Sequence, residues 1–574
     1  MNLSLSMVNG ERGVVALFVS CVLFSLPSSL LCHGLNLAVL SFFALFLDIS
    51  AENSASLSHF KTRPGASSGI LLGAVALPAV MISKLIQLTR AYSLHQIELQ
   101  ELEHMTMQYW ATSASCFGVL IYLCIVMQRA PKAIHPPQSN SVWVATWSLI
   151  CIVLYAVTCC VSLATISQTG SNTALKLLWE LFHGLVAVKL LQQLLNCFPS
   201  CASIGEVLLV TAGLVLYFGD MLAYTIAKVS GLLISADFIT VRYGIRRSEI
   251  SIIIQGLTVG LLLFPIFFRF VLRKCERSFG EGYSEERRNN EIQRSLLFFA
   301  SLGFILVVIV PSWMQFIHGF QVHPIIWYCC PQSLLALCFV IIIQSDAPML
   351  WSVEVRSDRL LFFVRVFAFV FSEPFKRLSL CIYWVSLICA SVPRFYNISK
   401  NSKIERILLR KYYHLMAVLM FVPALIFQPK FLDLGFGAAL AVFLALEIMR
   451  VWRIWPLGQL IHQFMNAFTD HRDSDLLIVS HFSLLLGCAF PIWMSSGFND
   501  RPLAPFAGIL SLGIGDTMVS VLFVDISIHE YFLIYLLSAS SGTSRWLIDS
   551  LLYVQASMVG YKYGVLRWSK TGSE

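Results

Sequence analysis

Charge is what this chain has least of: of its 574 residues only 13% are Asp, Glu, Lys or Arg, against 57% that are hydrophobic. With a mean hydropathy of +0.75, a soluble domain would lack the polar surface to cover itself, so the composition reads as a polytopic membrane protein. Zinc-type spacing is missing as well. The 16 Cys residues sit in apolar runs, as at Cys159-Cys160 and Cys329-Cys330, without His at ligand spacing, and read as small buried hydrophobes. No GxxxxGK[ST] loop occurs, which excludes a Walker-type nucleotide site. No repeat of fixed period occurs, nor a matched pair of broken helices in two halves, which argues against a repeat-built transporter. The net charge of +8 is small and marks cytosolic loops rather than nucleic-acid binding. The first apolar run, Val14 to Leu31, follows Glu11 and Arg12 and lacks a small-residue cleavage site. A second apolar run follows at once, so a retained anchor is expected rather than a removed signal.

What is present is a series of apolar runs long enough to span a bilayer, about 17–25 residues each. They fall near 14–32, 33–49, 69–89, 110–128, 142–166, 174–196, 204–227, 251–272, 295–312, 325–344, 378–393, 411–428, 433–449, 477–494 and 504–520. The expectation is therefore an all-α polytopic membrane protein with about fifteen transmembrane helices. Polar stretches separate the runs: acidic at 95–104, Pro-rich at 130–141, charged at 273–294, basic at 394–411 and mixed at 450–475.

Basic loops face the cytosol. Counting spans from 394–411 then puts the 450–475 stretch and Gly515-Asp516-Thr517 on that same side. The sequon Asn397-Ile398-Ser399 falls in a loop assigned to the cytosol and is expected to go unused. Residues 1–375 carry little recognisable chemistry: Glu180, His183 and Asp220 read as helix–helix hydrogen-bonding partners. The chemistry is expected in a second region, 376–574.

Within that region the stretch Leu503 to Ser520 starts as a small-residue apolar run and ends in Gly515-Asp516-Thr517. A carboxylate at membrane depth costs about 3 kcal/mol or more, so it calls for a cation, a partner or a wet cavity. A capping role for Asp516 is the plain alternative. Upstream, Arg410-Lys411-Tyr412-Tyr413-His414 enters an apolar run, with Arg410 and His414 on one helix face. Interfacial anchoring explains Arg410 and Lys411 but not His414, which points into the span. Glu447 and Arg450 read as an ion pair at a helix end.

Asp470-His471-Arg472-Asp473-Ser474-Asp475 offers hard oxygen ligands for a divalent cation or is a solvated loop. Its His-Arg-Asp triplet is not a protein-kinase catalytic loop, because the position that needs Asn is Ile478. Lys562, Arg567 and Lys570 near the end suit phosphates or anionic lipid.

Together these residues resemble the dolichol kinases of the polyprenol kinase family. The likeness rests on Arg410-Lys411 with His414, Asp470 to Asp473, Ser480-His481-Phe482, Gly515-Asp516-Thr517 and Gly560 to Gly572, and LRWSKTG is similar to the plant branch. The resemblance implies CTP as phosphoryl donor, a divalent cation (Mg or Ca), a dolichol or polyprenol substrate, an endoplasmic reticulum membrane location and a cytosolic catalytic face. It implies catalytic roles for Asp516, His414 and Asp473, with Asp516 either a metal ligand or the base for the lipid hydroxyl, and Asp470 a second metal ligand. Nucleotide contacts would come from Gly515, Thr517, Arg410, Lys411, Arg472, Lys562 and Lys570.

The chain departs from the family pattern in two places. Gly515-Asp516-Thr517-Met518 breaks off and Ala556-Ser557 resumes it, so 519–555 reads as an insertion. The chain then stops at Glu574, where the family continues into a Lys-Lys-Thr stretch. A weak or inactive isoform is one expectation that follows. Short-chain phytol or farnesol kinases, a lipid cytidylyltransferase and a transporter are the rival readings.

Overall fold

The computed structural model describes residues 10–52, 68–129, 138–166, 173–197, 202–233, 249–275, 284–310, 313, 372–401, 406–466, 478–495, 499 and 501–515. Among them every regular element is helical. In chain order these are α1 (Gly10–Phe24), α2 (Leu31–Glu52), α3 (Ile70–Ser93), α4 (Leu99–Arg129), α5 (Gln138–Ile166), α6 (Thr173–Cys197) and α7 (Ile204–Leu233). Then come α8 (Glu249–Cys275), α9 (Ser284–Phe304), α10 (Pro374–Asn401), α11 (Arg406–Phe427), α12 (Pro429–Trp452), α13 (Gly458–Asn466) and α14 (Val479–Met494). A 3₁₀ turn, Ala504–Phe506, leads into a π segment, Ile509–Gly515.

Seven of the described helices are long and apolar enough to cross a membrane: Ser28–Ala51, Ile70–Ser93, Glu101–Met127, Ile204–Ala223, Ile254–Lys274, Pro374–Phe395 and Pro429–Trp452. Shorter apolar helices include Arg12–Phe24, Leu149–Ser162, Tyr413–Phe427, Phe482–Met494 and Ala504–Gly513.

Hydropathy found the middles of these helices better than their ends. The first break falls around Pro27, five residues before the expected division, because proline brings no N–H to the helix ladder. The acidic stretch 95–104 is half absorbed into α4. The charged stretch 273–294 supplies the end of α8 and the start of α9, and the basic stretch 394–411 is helical on both sides of 402–405. Lys, Arg and Glu are good helix formers, and a spanning helix does not stop where the apolar core stops. Asn397 accordingly lies in α10, not in a loop.

The chain divides into two compact units. The first comprises Met1–Ile245, Glu405–Leu419 and Thr469–Glu574. Within it α4 is the hub, packing against α2, α3, α5, α6 and α7. Helices in lipid gain little from apolar contact alone and depend on close backbone approach and internal hydrogen bonds. Both are present. A Cβ on Gly118 of α4 would stand 2.9 Å from the Gly184 carbonyl of α6, and one on Gly184 would stand 2.9 Å from the Ala114 carbonyl. Only glycine permits that approach.

Asn36 Nδ2 donates to Tyr109 Oη at 2.8 Å and to Ser113 Oγ at 3.0 Å, while Tyr109 donates to the His33 carbonyl at 2.9 Å. Trp110 Nε1 donates to Ser162 Oγ at 3.1 Å. At the end of α2, Asp48 accepts from Arg12 Nε at 2.8 Å and from the Ser68 hydroxyl, joining three separate stretches of chain.

The second unit comprises Arg246–Ile404 and Met420–Phe468. Phe264, Phe268, Phe298 and Trp452 form an aromatic cluster with ring centroids 5.0–6.2 Å apart. Arg450 pairs with Glu447 through two parallel bonds of 2.8 Å, the helix-end ion pair expected from their spacing.

Glu373, just before α10, takes contacts from Lys376 at 3.2 Å and from Gln428 Nε2 at 2.9 Å. These partners, Lys376 foremost, hold its carboxyl below the usual range. A depressed carboxylate contributes stability above its unfolded pKa, and that contribution is lost as pH falls through the folded value. Glu373→Gln is therefore expected to flatten the acid side of a melting-temperature-against-pH curve in detergent, by a small amount because the group is exposed. An unchanged acid limb would count against the contact network.

Candidate active site

The site is built where α11, α14 and the π segment meet in the first unit. α11 is helical from its apolar run LLRKYYHLMAVLMF, with Arg410 and Lys411 near its start. His414 lies one turn beyond Arg410. Its ring Nδ1 stands 2.8 Å from the carbonyl oxygen of Leu512, a residue 98 positions away. A carbonyl only accepts, so Nδ1 carries the proton and donates.

The π segment approaches α11 at Gly513, where an added Cβ would strike Val418 Cγ2 and lie 3.5 Å from the His414 carbonyl. Just ahead of the segment, Gly508 approaches α14: an added Cβ there would strike the Gly487 carbonyl and stand 3.0 Å from Cys488 Cα. Ile509 and Ser511 are buried in this contact. π-Helical turns are uncommon and gather at functional positions. Further upstream, Arg501 Nη1 donates to Ser83 Oγ of α3 at 2.8 Å.

Of the residues that sequence reasoning singled out, the structure brings His414 to the segment that ends at Gly515. Arg410 and Lys411 lie in the first two turns of α11. Asp470, Arg472, Asp473, Asp516, Thr517, Lys562, Lys570 and the expected insertion 519–555 lie outside the described residues. Among the described residues no group of three or more His, Cys, Asp or Glu is arranged to hold a metal.

Sequence reasoning missed the Leu512 carbonyl and the Gly513–Val418 contact. The spacing Gly508, Gly513, Gly515 was the one available hint, since repeated glycine in an apolar helix announces close backbone approach. The intramembrane polar residues divide. His104 Nε2 stands 3.7 Å from Asp220 Oδ1 across α4 and α7, a helix–helix pair. His183 instead donates Nδ1 to the Trp179 carbonyl of its own helix at 2.8 Å. Neither carboxyl oxygen of the fully buried Glu180 has a hydrogen-bond partner.

Long apolar helices, with a histidine drawn from one of them to the end of another, define a multi-pass integral membrane protein with polar chemistry gathered at a helix end. Comparison with known proteins narrows the class. The dolichol kinase family model matches residues 282–489. The chain is 57% identical over 570 residues to dolichol kinase EVAN of Arabidopsis thaliana, covering 99% of this chain and 87% of that protein. It is 38% identical over 162 residues to human dolichol kinase, 25% of this chain and 30% of the human protein. Against dolichol kinase sec59 of Schizosaccharomyces pombe it is 43% identical over 117 residues, 20% of this chain and 23% of that one. No solved structure matches the chain. The chain belongs to the dolichol kinase family.

Proposed function

We propose that this protein transfers the γ-phosphoryl group of CTP to dolichol, giving dolichyl phosphate for protein glycosylation at the endoplasmic reticulum membrane. The observation that carries the activity is the 57% identity to a dolichol kinase along nearly the whole chain. The likeness between Gly515-Asp516-Thr517 and the family motif supports the location of the site.

In the reaction the dolichol hydroxyl oxygen bonds to the γ-phosphorus, the bond from that phosphorus to the β–γ bridging oxygen breaks, and CDP departs. The hydroxyl proton passes to a base. Such a transfer depends on positioning and charge neutralisation more than on covalent chemistry. Asp516 is either the base or a ligand of the divalent cation, and Asp473 serves beside it. Carboxylate oxygens of Asp516 and Asp470 suit a hard cation, which when bound spreads the phosphate charge.

Lys562 and Lys570 neutralise phosphate oxygens, with Arg410, Lys411 and Arg472 as further cations and Gly515 and Thr517 contacting the nucleotide. Cations near the start of α11 oppose its helix dipole, so an anion held there would relieve an otherwise unfavourable placement. About fifteen spans, with 376–574 as the catalytic region and its polar end in the cytosol, let the long isoprenoid stay in lipid while its alcohol meets soluble nucleotide.

The test is CTP-dependent phosphorylation of dolichol in membranes carrying this chain, with complementation of a dolichol-kinase-deficient strain by the chain and by a version lacking 519–555. Dolichyl phosphate formation supports the reading. A phosphorylated short-chain prenol, or a cytidylylated lipid, as the sole product would replace it.

A further inference from the structure

The candidate carboxylate Asp516 follows directly on Gly515, the last residue of the π segment, so whatever fixes that segment fixes where the carboxylate begins. A helix leaves its last carbonyls without partners inside itself. Leu512 lies in the closing turn, and its carbonyl accepts the His414 ring N–H at 2.8 Å from another helix.

The contact has support on both sides. One turn further along α11, Val418 Cγ2 fills the space a side chain at Gly513 would need. On the opposite helix, Leu512 Cδ1 fills the space beside Gly487 of α14. A polar bond and two steric contacts therefore bear on one turn, immediately before the acidic residue.

We propose that His414 is a positioning residue of the phosphoryl-transfer site: its ring N–H, given to Leu512, sets the point at which the π segment ends and Asp516 begins. This rests on the reading of Asp516 as a site carboxylate. It assigns His414 a role distinct from proton transfer to or from the substrate. The structural requirement is an N–H donor at the Nδ1 position, and an Asn amide nitrogen supplies one at nearly the same place without a titratable ring.

The experiment uses the full chain in membranes with dolichol and CTP, recording kcat, KM and the pH profile. His414→Ala is expected to lower kcat by about 10²-fold, the scale on which a displacement of about an ångström acts, with KM for CTP little changed. His414→Asn is expected to restore most of that loss and to keep the shape of the wild-type pH profile. Gly513→Ala should reproduce the kcat loss, and Gly513→Ala combined with Val418→Ala should recover it, because the second change vacates the space the new methyl needs. Recovery in the double variant also separates mispositioning from failure to fold.

His414→Asn as inactive as His414→Ala, with Asp516→Asn inactive, would make the ring a proton carrier and overturn the inference alone. A harmless Gly513→Ala would overturn it too. Full activity in Asp516→Asn would remove the underlying site reading, and this inference with it.

Discussion

Asp516→Ala is expected to reduce dolichol phosphorylation by about 10²–10⁴-fold, the range over which a positioned acid–base group acts. Stability should change little. The argument joins sequence and structure. A carboxylate following an apolar helical run costs free energy unless something compensates it, and the run is held up to its last turn by His414 and by backbone approach at Gly508 and Gly513.

The assay also separates the two roles open to this residue. If Asp516 holds the cation, Asp516→Glu should shift the divalent-ion concentration needed for half-maximal rate. If it is the base, that requirement stays and the acid limb of the rate profile moves instead. Activity within about threefold of wild type in Asp516→Ala, far short of the loss expected for such a group, would end both assignments.

The second large effect is structural. Asp48→Ala is expected to destabilise the protein by about 3–5 kcal/mol, the scale for breaking a buried ion pair from one side. Asp48 is 1% exposed and Arg12 is 4% exposed, and the guanidinium lies against the carboxylate at 2.8 Å through both Nε and Nη2. The same carboxylate accepts from Ser68, just before α3. The single change thus loosens α1, α2 and the approach to α3 together.

Replacing the pair by Arg12→Met with Asp48→Leu should recover most of the loss, since two apolar groups of similar volume carry no desolvation cost. Thermal unfolding in detergent, followed by tryptophan fluorescence, measures both. A loss under about 1 kcal/mol for Asp48→Ala, the scale of an exposed pair, would mean that the two charges are solvated and contribute little.

How far the sequence reaches is clearest at His414. Its place in an apolar helix face marked it as a residue that anchoring does not explain, and its i, i+4 relation to Arg410 follows from helix geometry alone. The residue it serves could not be read. Every carbonyl in the chain has the same chemistry, and Leu512, 98 positions on, has nothing in its own identity to distinguish it. Arg12 shows the same limit: as a flank of the first apolar run it looked like a topology signal, whereas folding buries it against Asp48. Glu447 and Arg450 were legible because their contact lies within one turn of one helix.

By itself, then, the sequence determined the solvent, the helical class and the stretches that carry chemistry. Apolarity over some twenty residues and the spacing of charges are local properties, and a bilayer admits few structures that satisfy the backbone within one segment. Tertiary structure alone decided which helix end meets which side chain, where the helices stop, and that the run before Asp516 closes as a π turn against α11 and α14. Those outcomes depend on how closely two backbones approach at Gly508 and Gly513, a distance set by packing between segments far apart in the chain.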